Sequence, residues 1–343
     1  MIITMKNIGI DLGTANTRIF LRGKGVTLRE PSAVAVSDAN EEVLAVGLDA
    51  QRMAGKTPDG VSVRRPVKSG VIAQFDAAVA MVDVFMQKTV GSLSANHPRV
   101  MVCVPYSIND VERRAVEEVI LEAGAKSVAL IESSLVSAIG AGLRVTHPHG
   151  SMIVDIGGGT TEIAVMSLGA IVVAKSVRVA GDTLDDAICD YVRRKYNIMM
   201  SDTTAEYVKR SIGSIESKIA GAAPAHKDME IRGRNIITGL PVAIRLTNED
   251  MAEAMAEPVA QIVDGIRTTL EQTPPELAAD LLEDGIVLSG GGALLGGLPA
   301  LISKVTHLKV TIAKNPTDCS VLGLGRLLEY TGDVDRIIRF RTK

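Results

Sequence analysis

The sequence has few aromatic residues. Phe, Tyr and Trp make up 3% of its 343 residues, and Trp is absent. The core must therefore rest on Ile, Val, Leu, Ala and Met, and few rings remain to stack on bases, which argues against a single-strand nucleic-acid binder. The net charge of −3 supplies no global basic field for nucleic acid either. Cys103, Cys189 and Cys319 lie far apart and are odd in number, which argues against a disulfide framework and for a reducing compartment. No CxxC or Cys/His cluster suggests zinc. His147 and His149, flanking Pro148, read as a solvated loop pair rather than a ligand pair. No apolar run reaches the ~18 residues of a membrane span. MIITMKNIGIDLG lacks the charged, apolar and cleavage regions expected of a signal peptide. GxxxxGK[ST] is absent, which excludes a P-loop NTPase, and neither GxSxG nor HExxH occurs.

What is present is an α/β pattern, in a chain long enough for one large or two medium domains. Strand-like runs are expected at Asn7–Ile10, Arg18–Leu21, Val100–Pro105, Ser127–Ile131, Ser151–Asp155, Glu162–Ser167, Ala170–Ser176 and Gly285–Ser289. Helical patterns cover Asp76–Val90, Asp110–Ala123, Ser134–Gly142, Ala180–Tyr196, Ala205–Ile215, Asn248–Gln272, Leu295–Thr306 and Val321–Tyr330. In the Asp110–Ala123 unit, Asn109 or Asp110 can cap, and Val111, Ala115, Val119 and Ile120 are expected on one face. Residues 220–228 read as an exposed turn.

One internal repeat dominates. Ile8–Leu21, IGIDLGTANTRIFL, aligns without gaps to Met152–Val165, MIVDIGGGTTEIAV. Asp11 matches Asp155, Gly13 matches Gly157, and Thr17 matches Thr161. Each copy reads as a β-hairpin with a tight turn of small residues, whose bare backbone N–H groups can hold phosphate oxygens. Two such nests facing each other would hold a polyphosphate from both sides. Asp11 and Asp155, at the strand ends, suit Mg²⁺ held through water. Thr14 and Thr160 carry hydroxyls able to bond a phosphate or a water. A third cluster, Ser289-Gly290-Gly291-Gly292, follows a strand and is expected to precede a helix, whose N-terminus would lie near the same ligand. Each cluster alone is also compatible with ordinary close packing.

These hairpins and the later glycine cluster resemble the actin, sugar-kinase and heat-shock-ATPase superfamily. GIDLGTANTRIFLRGKGVTLREPSAVAV, VRRPVKSGVIAQFD, VDIGGGTTEIAVMSLG, SVRVAGDTLDDAI, MEIRGRNIITGLP, TPPELAADLLEDGIVLSGGGALLGGL and NPTDCSVLGLGRLLE are similar, within it, to the MreB family of bacterial actins, from about Ile8 to Glu329. The resemblance implies an actin-like α/β fold with two RNase H-like domains around a nucleotide cleft. These would be residues 1–150, with an insertion at about 30–70, and 151–343, with an insertion at about 181–246. It implies that Gly13, Thr14, Ala15 and Asn16 hold ATP phosphates from one side, and Gly157, Gly158, Gly159 and Thr160 from the other. Glu206 and Lys209 would line the nucleoside site, though alone they read as an exposed i,i+3 pair. Ser289, Gly290, Gly291 and Gly292 would pass beside the adenosine and its phosphates, and Asp11 and Asp155 would hold Mg²⁺.

The resemblance further implies self-assembly into paired antiparallel protofilaments, with Val111 at a contact position, and possible copolymers with paralogues. It implies a cytoplasmic protein, peripheral at the inner face of the cell membrane, that guides cell-wall elongation proteins and keeps rod shape. Two departures matter. The family usually carries two Glu and a Pro where this chain has Glu132-Ser133-Ser134. The second Glu polarises the attacking water with the residue at Thr160; a Ser hydroxyl is a poor base, and Glu132 would face away along extended chain. Slow hydrolysis is the expectation. The apolar membrane loop retains only Leu93, backed by Met1, Ile2, Ile3 and the C-terminal DRIIRFRTK. Burying Leu93 supplies roughly 1.5–3 kcal/mol, a weak contact that a filament would multiply. A small-molecule kinase is the competing enzyme reading, but no base beside an acceptor pocket can be assigned. A chaperone ATPase would want a further domain after Glu329.

Overall fold

Long apolar runs flanked by glycine turns build the strands. The computed structural model describes residues 7–91, 97–215, 226–330 and 341–342. Leu93, Met1, Ile2, Ile3, most of the 220–228 turn and most of DRIIRFRTK lie outside the described residues. The chain forms two units, residues 1–147 with 168–171 and 317–343, and residues 148–167 with 172–316.

In the first unit, β1 (Asn7–Leu12) and β2 (Asn16–Leu21) form an antiparallel hairpin that sets Asp11 opposite Arg18. β3 (Gly25–Pro31) continues the sheet. Next come β4 (Val34–Ser37), β5 (Val43–Val46), α1 (Leu48–Met53) and β6 (Val61–Arg64), whose strands make a separate sheet in the order β5-β4-β6. A small pair, β7 (Val67–Lys68) and β8 (Val71–Ile72), leads into α2 (Phe75–Val90), β9 (Arg99–Val104), α3 (Asp110–Glu122), β10 (Ser127–Glu132) and α4 (Ser133–Ala141). β9 lies parallel to β1 and to β10, so the helices between them cover the sheet faces. The core gathers Ile8, Ile10, Ile19, Phe85, Met81, Met86, Val100, Val102 and Ile120, with the partly buried Phe75 packed against it.

Asn109 caps α3. Its side chain accepts from the N–H groups of Val111 and Glu112, while Glu112 accepts from the N–H of Asn109. The buried face of α3 carries Val116, Val119 and Ile120. Val111 is 77% exposed and not part of it, because that stripe projected back one turn falls on Glu112.

In the second unit, β11 (Ser151–Ile156), β12 (Thr161–Ser167) and β13 (Ala170–Val177) form the repeated hairpin and its neighbour. There follow α5 (Gly181–Tyr196), β14 (Ile198–Met199), α6 (Asp202–Ile212), β15 (Asp228–Asn235) and β16 (Pro241–Thr247). The unit continues with α7 (Asn248–Ala254), α8 (Ala256–Glu271), α9 (Pro275–Asp284), β17 (Ile286–Ser289), α10 (Leu298–Thr306) and β18 (Val310–Ile312). The main sheet runs β13-β12-β11-β17-β18, and a smaller sheet runs β14-β15-β16. The single helix expected over Asn248–Gln272 is two helices, parted at Met255. Pro258 explains the break: it has no N–H for the carbonyl of Ala254.

The last elements, α11 (Cys319–Glu329) and β19 (Arg341–Thr342), belong to the first unit, whereas the expected boundary assigned everything after 150 to the second domain. Glycines let α11 pack this closely. A Cβ on Gly323 would lie 1.8 Å from the Val136 carbonyl oxygen, and one on Gly140 1.8 Å from that of Cys319. Ser137 and Ser320 hydroxyls meet at 2.7 Å in the same seam.

Candidate functional site

The first turn is closed by Gly13, where a Cβ would meet the Asn16 carbonyl oxygen at 2.6 Å. Ser32 braces it. Its hydroxyl donates to the Gly13 carbonyl at 2.6 Å, so Thr17 donates to Ser32 at 2.9 Å, and the Ser32 N–H donates to the Ala15 carbonyl at 3.0 Å. In a trans peptide the C=O and the next N–H point opposite ways. Tying back the carbonyls of Gly13 and Ala15 therefore turns the N–H groups of Thr14 and Asn16 to the other side. The Thr14 hydroxyl, nearly buried, accepts from the Gly70 N–H at 3.0 Å and keeps its own proton to donate.

The second turn uses the same device with different partners. The Gly157 N–H donates to the Thr160 carbonyl at 2.9 Å. The first residues of α5 then donate to the turn, Gly181 N–H to the Gly157 carbonyl at 3.1 Å and Asp182 N–H to the Gly158 carbonyl at 2.7 Å. The N–H groups of Gly158 and Gly159 consequently point away from α5. Thr161 anchors the hairpin by donating to the Val179 carbonyl at 2.7 Å.

Lys209, expected to line a nucleoside site, lies under this turn. Its ammonium donates to the Gly181 carbonyl at 2.7 Å and to Asp185 Oδ2 at 2.8 Å. It does not form the i,i+3 pair with Glu206, which faces Arg210 at 3.6 Å instead. Asp185 is buried, and its Oδ1 has no hydrogen-bond partner among the described residues. Burial pushes its carboxyl up to about 6 despite the attraction of Lys209.

The third cluster divides by role. Gly290 has φ +79°, and a Cβ there would strike the Ile156 carbonyl oxygen at 2.2 Å; one on Gly292 would strike Ile156 Cγ2 at 2.3 Å. Both let the chain approach β11. Gly291 has nothing within 4 Å of an added Cβ. The Ser289 hydroxyl is buried with no partner among the described residues. A helix follows as expected, but after a 3-10 turn at Gly291–Leu294, and α10 begins at Leu298 rather than Leu295. In the other unit, Glu132 ends β10 and Ser133 opens α4, its buried hydroxyl also without a partner among the described residues.

Asp11 is not a bare carboxylate. Arg18 approaches its Oδ2 at 3.4 Å, and the Cys103 thiol donates to Oδ1 at 3.3 Å. Burial raises its pKa, with Arg18 opposing. Arg18 is shared with Asp318 at 3.3 Å. At the matching position of the second hairpin stands Glu162, buried and accepting from Ser176 at 2.6 Å, while Asp155 lies beside Gly290. Among the described residues no three His, Cys, Asp or Glu side chains gather as a metal cage. A carboxylate whose charge is penalised by burial fits a hydrated divalent cation, which keeps most of its waters and takes other oxygens from phosphate. Sequence reasoning missed Arg18, Ser32, Gly181 and Asp185; the acidic position in GDTLDD, one turn into α5, was the only available signal for the last.

Paired hairpins on five- and six-stranded mixed sheets, each turn with carbonyls tied back and amides presented, define a protein with an actin-like fold. The sequence model of the family described as MreB/Mbl protein matches residues 5–336. The chain is 43% identical over 332 residues to a cell shape-determining protein Mbl of Bacillus cereus, covering 97% of each chain. It is 45% identical over 328 residues to the cell shape-determining protein MreB of Escherichia coli, covering 94% of this chain and 93% of that one. Among solved structures, MreB 5 of Spiroplasma citri bound to AMPPNP matches with a TM-score of 0.87 at 35% identity, over 93% of this chain and 95% of that one. The chain belongs to the MreB/Mbl family.

Proposed function

We propose that this protein binds Mg²⁺-ATP and polymerises into filaments that determine bacterial cell shape. The observation that carries the reading is the pair of matched turns. In each, hydrogen bonds tie two turn carbonyls back, and the N–H groups that follow them, those of Thr14 and Asn16 in the first and of Gly158 and Gly159 in the second, face the other way, towards anionic oxygens. Thr14, Asn16, Gly158, Gly159 and Thr160 contact the phosphates; Ala15 and Gly13, Gly157 shape the turns. Ser289 and Gly291 border the nucleoside, with Glu206 completing that side, while Lys209 braces the second turn from beneath. Asp11 and Asp155 hold Mg²⁺ through water. The cell-shape role follows the names of the relatives, and the filament role follows the family. Val111, exposed at the first turn of α3, joins paired antiparallel protofilaments. The assembled form lies in the cytoplasm against the inner face of the membrane, with Leu93 as its apolar contact, and works with cell-wall elongation proteins and, where they exist, paralogous subunits.

Turnover is slow, because Ser133 stands where a carboxylate would polarise water. Loss of such a base typically costs about 10²–10⁴-fold in rate. The test is sedimentation and light scattering with and without Mg²⁺-ATP, alongside phosphate release. Assembly that requires ATP, slow release in the parent and faster release in Ser133→Glu are expected. An ATP-independent scattering signal, or a parent already as fast as Ser133→Glu, overturns the corresponding half of the reading.

A further inference from the structure

Asp185 lies on α5 one turn beyond the residues that grip the second turn. A chain of contacts joins them: Asp185 Oδ2 to Lys209 Nζ (2.8 Å), Lys209 to the Gly181 carbonyl (2.7 Å), Gly181 N–H to the Gly157 carbonyl (3.1 Å), and Asp182 N–H to the Gly158 carbonyl (2.7 Å). Gly181 packs closely in this stack. An added Cβ would lie 3.2 Å from the Gly157 carbonyl oxygen, 3.4 Å from Gly158 Cα and 3.5 Å from Lys209 Nζ. Resting on the nucleotide reading above, we propose that Asp185 is a positioning residue for the phosphate turn: its carboxylate holds Lys209 against Gly181, and so fixes the outward amides of Gly158 and Gly159.

The arrangement makes the grip depend on charge. Only one carboxylate oxygen is satisfied, by Lys209, while Oδ1 is buried without a partner among the described residues. A neutral side chain at 185 therefore loses most of its hold on the ammonium. The other charged groups that bear on Asp185 are Glu206 on α6 and Asp182 on α5, both opposing its ionisation. Cys189, on the same helix, is pushed up to about 11 chiefly by burial and stays a neutral thiol between pH 5 and 8. Asp185, displaced by burial to about 6, changes charge there. The charged form tightens the turn, and protonation loosens it. ATP affinity thus falls as pH drops through that range.

The experiment measures Mg²⁺-ATP affinity of the full chain and of Asp185→Asn at about pH 7.5 and about pH 5. The readout is the ratio of the two affinities at each pH, in which titration of the phosphates themselves cancels. A ratio of at least about fivefold at the higher pH that collapses towards one at the lower is expected, a coupling of ordinary size. Lys209→Met should reproduce Asp185→Asn, and the double variant should be no weaker than either single one. A ratio near one at both pH values, or Lys209→Met binding as the parent does, overturns the positioning role. A large ratio that persists unchanged at low pH overturns it too, since a purely structural Asp185 behaves that way. If Asp185→Asn does not fold, the parent-to-Lys209→Met ratio across pH carries the same decision. No ATP binding by the parent at either pH overturns the nucleotide reading itself, and the role of Asp185 with it.

Discussion

Individual glycines in this chain do different work although they look alike in sequence. Gly290 and Gly291 are neighbours, yet only Gly290 has a positive φ and a carbonyl oxygen 2.2 Å from where its Cβ would be. Gly290→Ala is expected to lower stability by about 1–3 kcal/mol, read from denaturant midpoints. Gly291→Ala should leave the midpoint unchanged, since nothing lies within 4 Å of the added Cβ, and, on the proposed nucleotide reading, weaken ATP binding. Equal losses of stability in the two variants would refute the division. The sequence pointed to all three glycines of this cluster as ligand-facing. Packing distance, which no string of letters carries, separates them.

At the scale of elements, helix termini and helix seams hold the second unit together. The hydroxyl of Tyr191 on α5 donates to Asp250 at 2.8 Å, and Lys195 reaches the same carboxylate at 2.7 Å. Asp250 also accepts from the Thr247 N–H at 2.9 Å, closing the cap of α7. Burial opposes its charge, but the bonds from Lys195, the Thr247 backbone and Tyr191 prevail and hold it at about 2. A carboxylate depressed below its unfolded value near 3.9 contributes stability above that value, and loses it as pH falls towards the folded one. Asp250→Asn is therefore expected to be less stable than the parent at neutral pH by about 2 kcal/mol. Thermal melts should show the gap closing between about pH 4 and pH 2. A gap that is constant with pH would mean that packing, not charge, made the difference. Sequence periodicity located α5 and the start of α7, but not the contact between them. Tyr191 and Asp250 are separated by 59 positions, and no local pattern pairs them.

For the molecule as a whole, assembly is the property to test. Val111 is 77% exposed on a capped, stable helix turn, and no core contact depends on it. On the proposed assembly, Val111→Asp should keep the parent's melting temperature while reducing ATP-dependent scattering, because a charge at a two-fold contact would meet its own copy. Scattering and filament pairing equal to the parent's would remove Val111 from the interface. Membership of the family was legible over nearly the whole chain, as was the α/β alternation, because both are written in local runs and spacings. The place of α11 was not. Its glycines gain their purpose only in the packed structure, where Gly323 admits the Val136 carbonyl and Gly325 the Phe20 ring.

The sequence by itself determined the two hairpins, their matched glycine turns, the family, and the absence of the usual carboxylate at Ser133. These are local facts, set by residue type and spacing. Tertiary structure alone decided which carbonyls are tied back and which way the neighbouring amides turn, that Arg18 is shared between Asp11 and Asp318, and that Lys209 answers to Asp185 rather than Glu206. Ser32 reaches Gly13 across 19 positions at 2.6 Å and Lys209 reaches Asp185 across 24 at 2.8 Å, while Arg18 faces Asp11 across the paired strands; hydrogen bonds and burial act at such distances, which local sequence patterns do not encode.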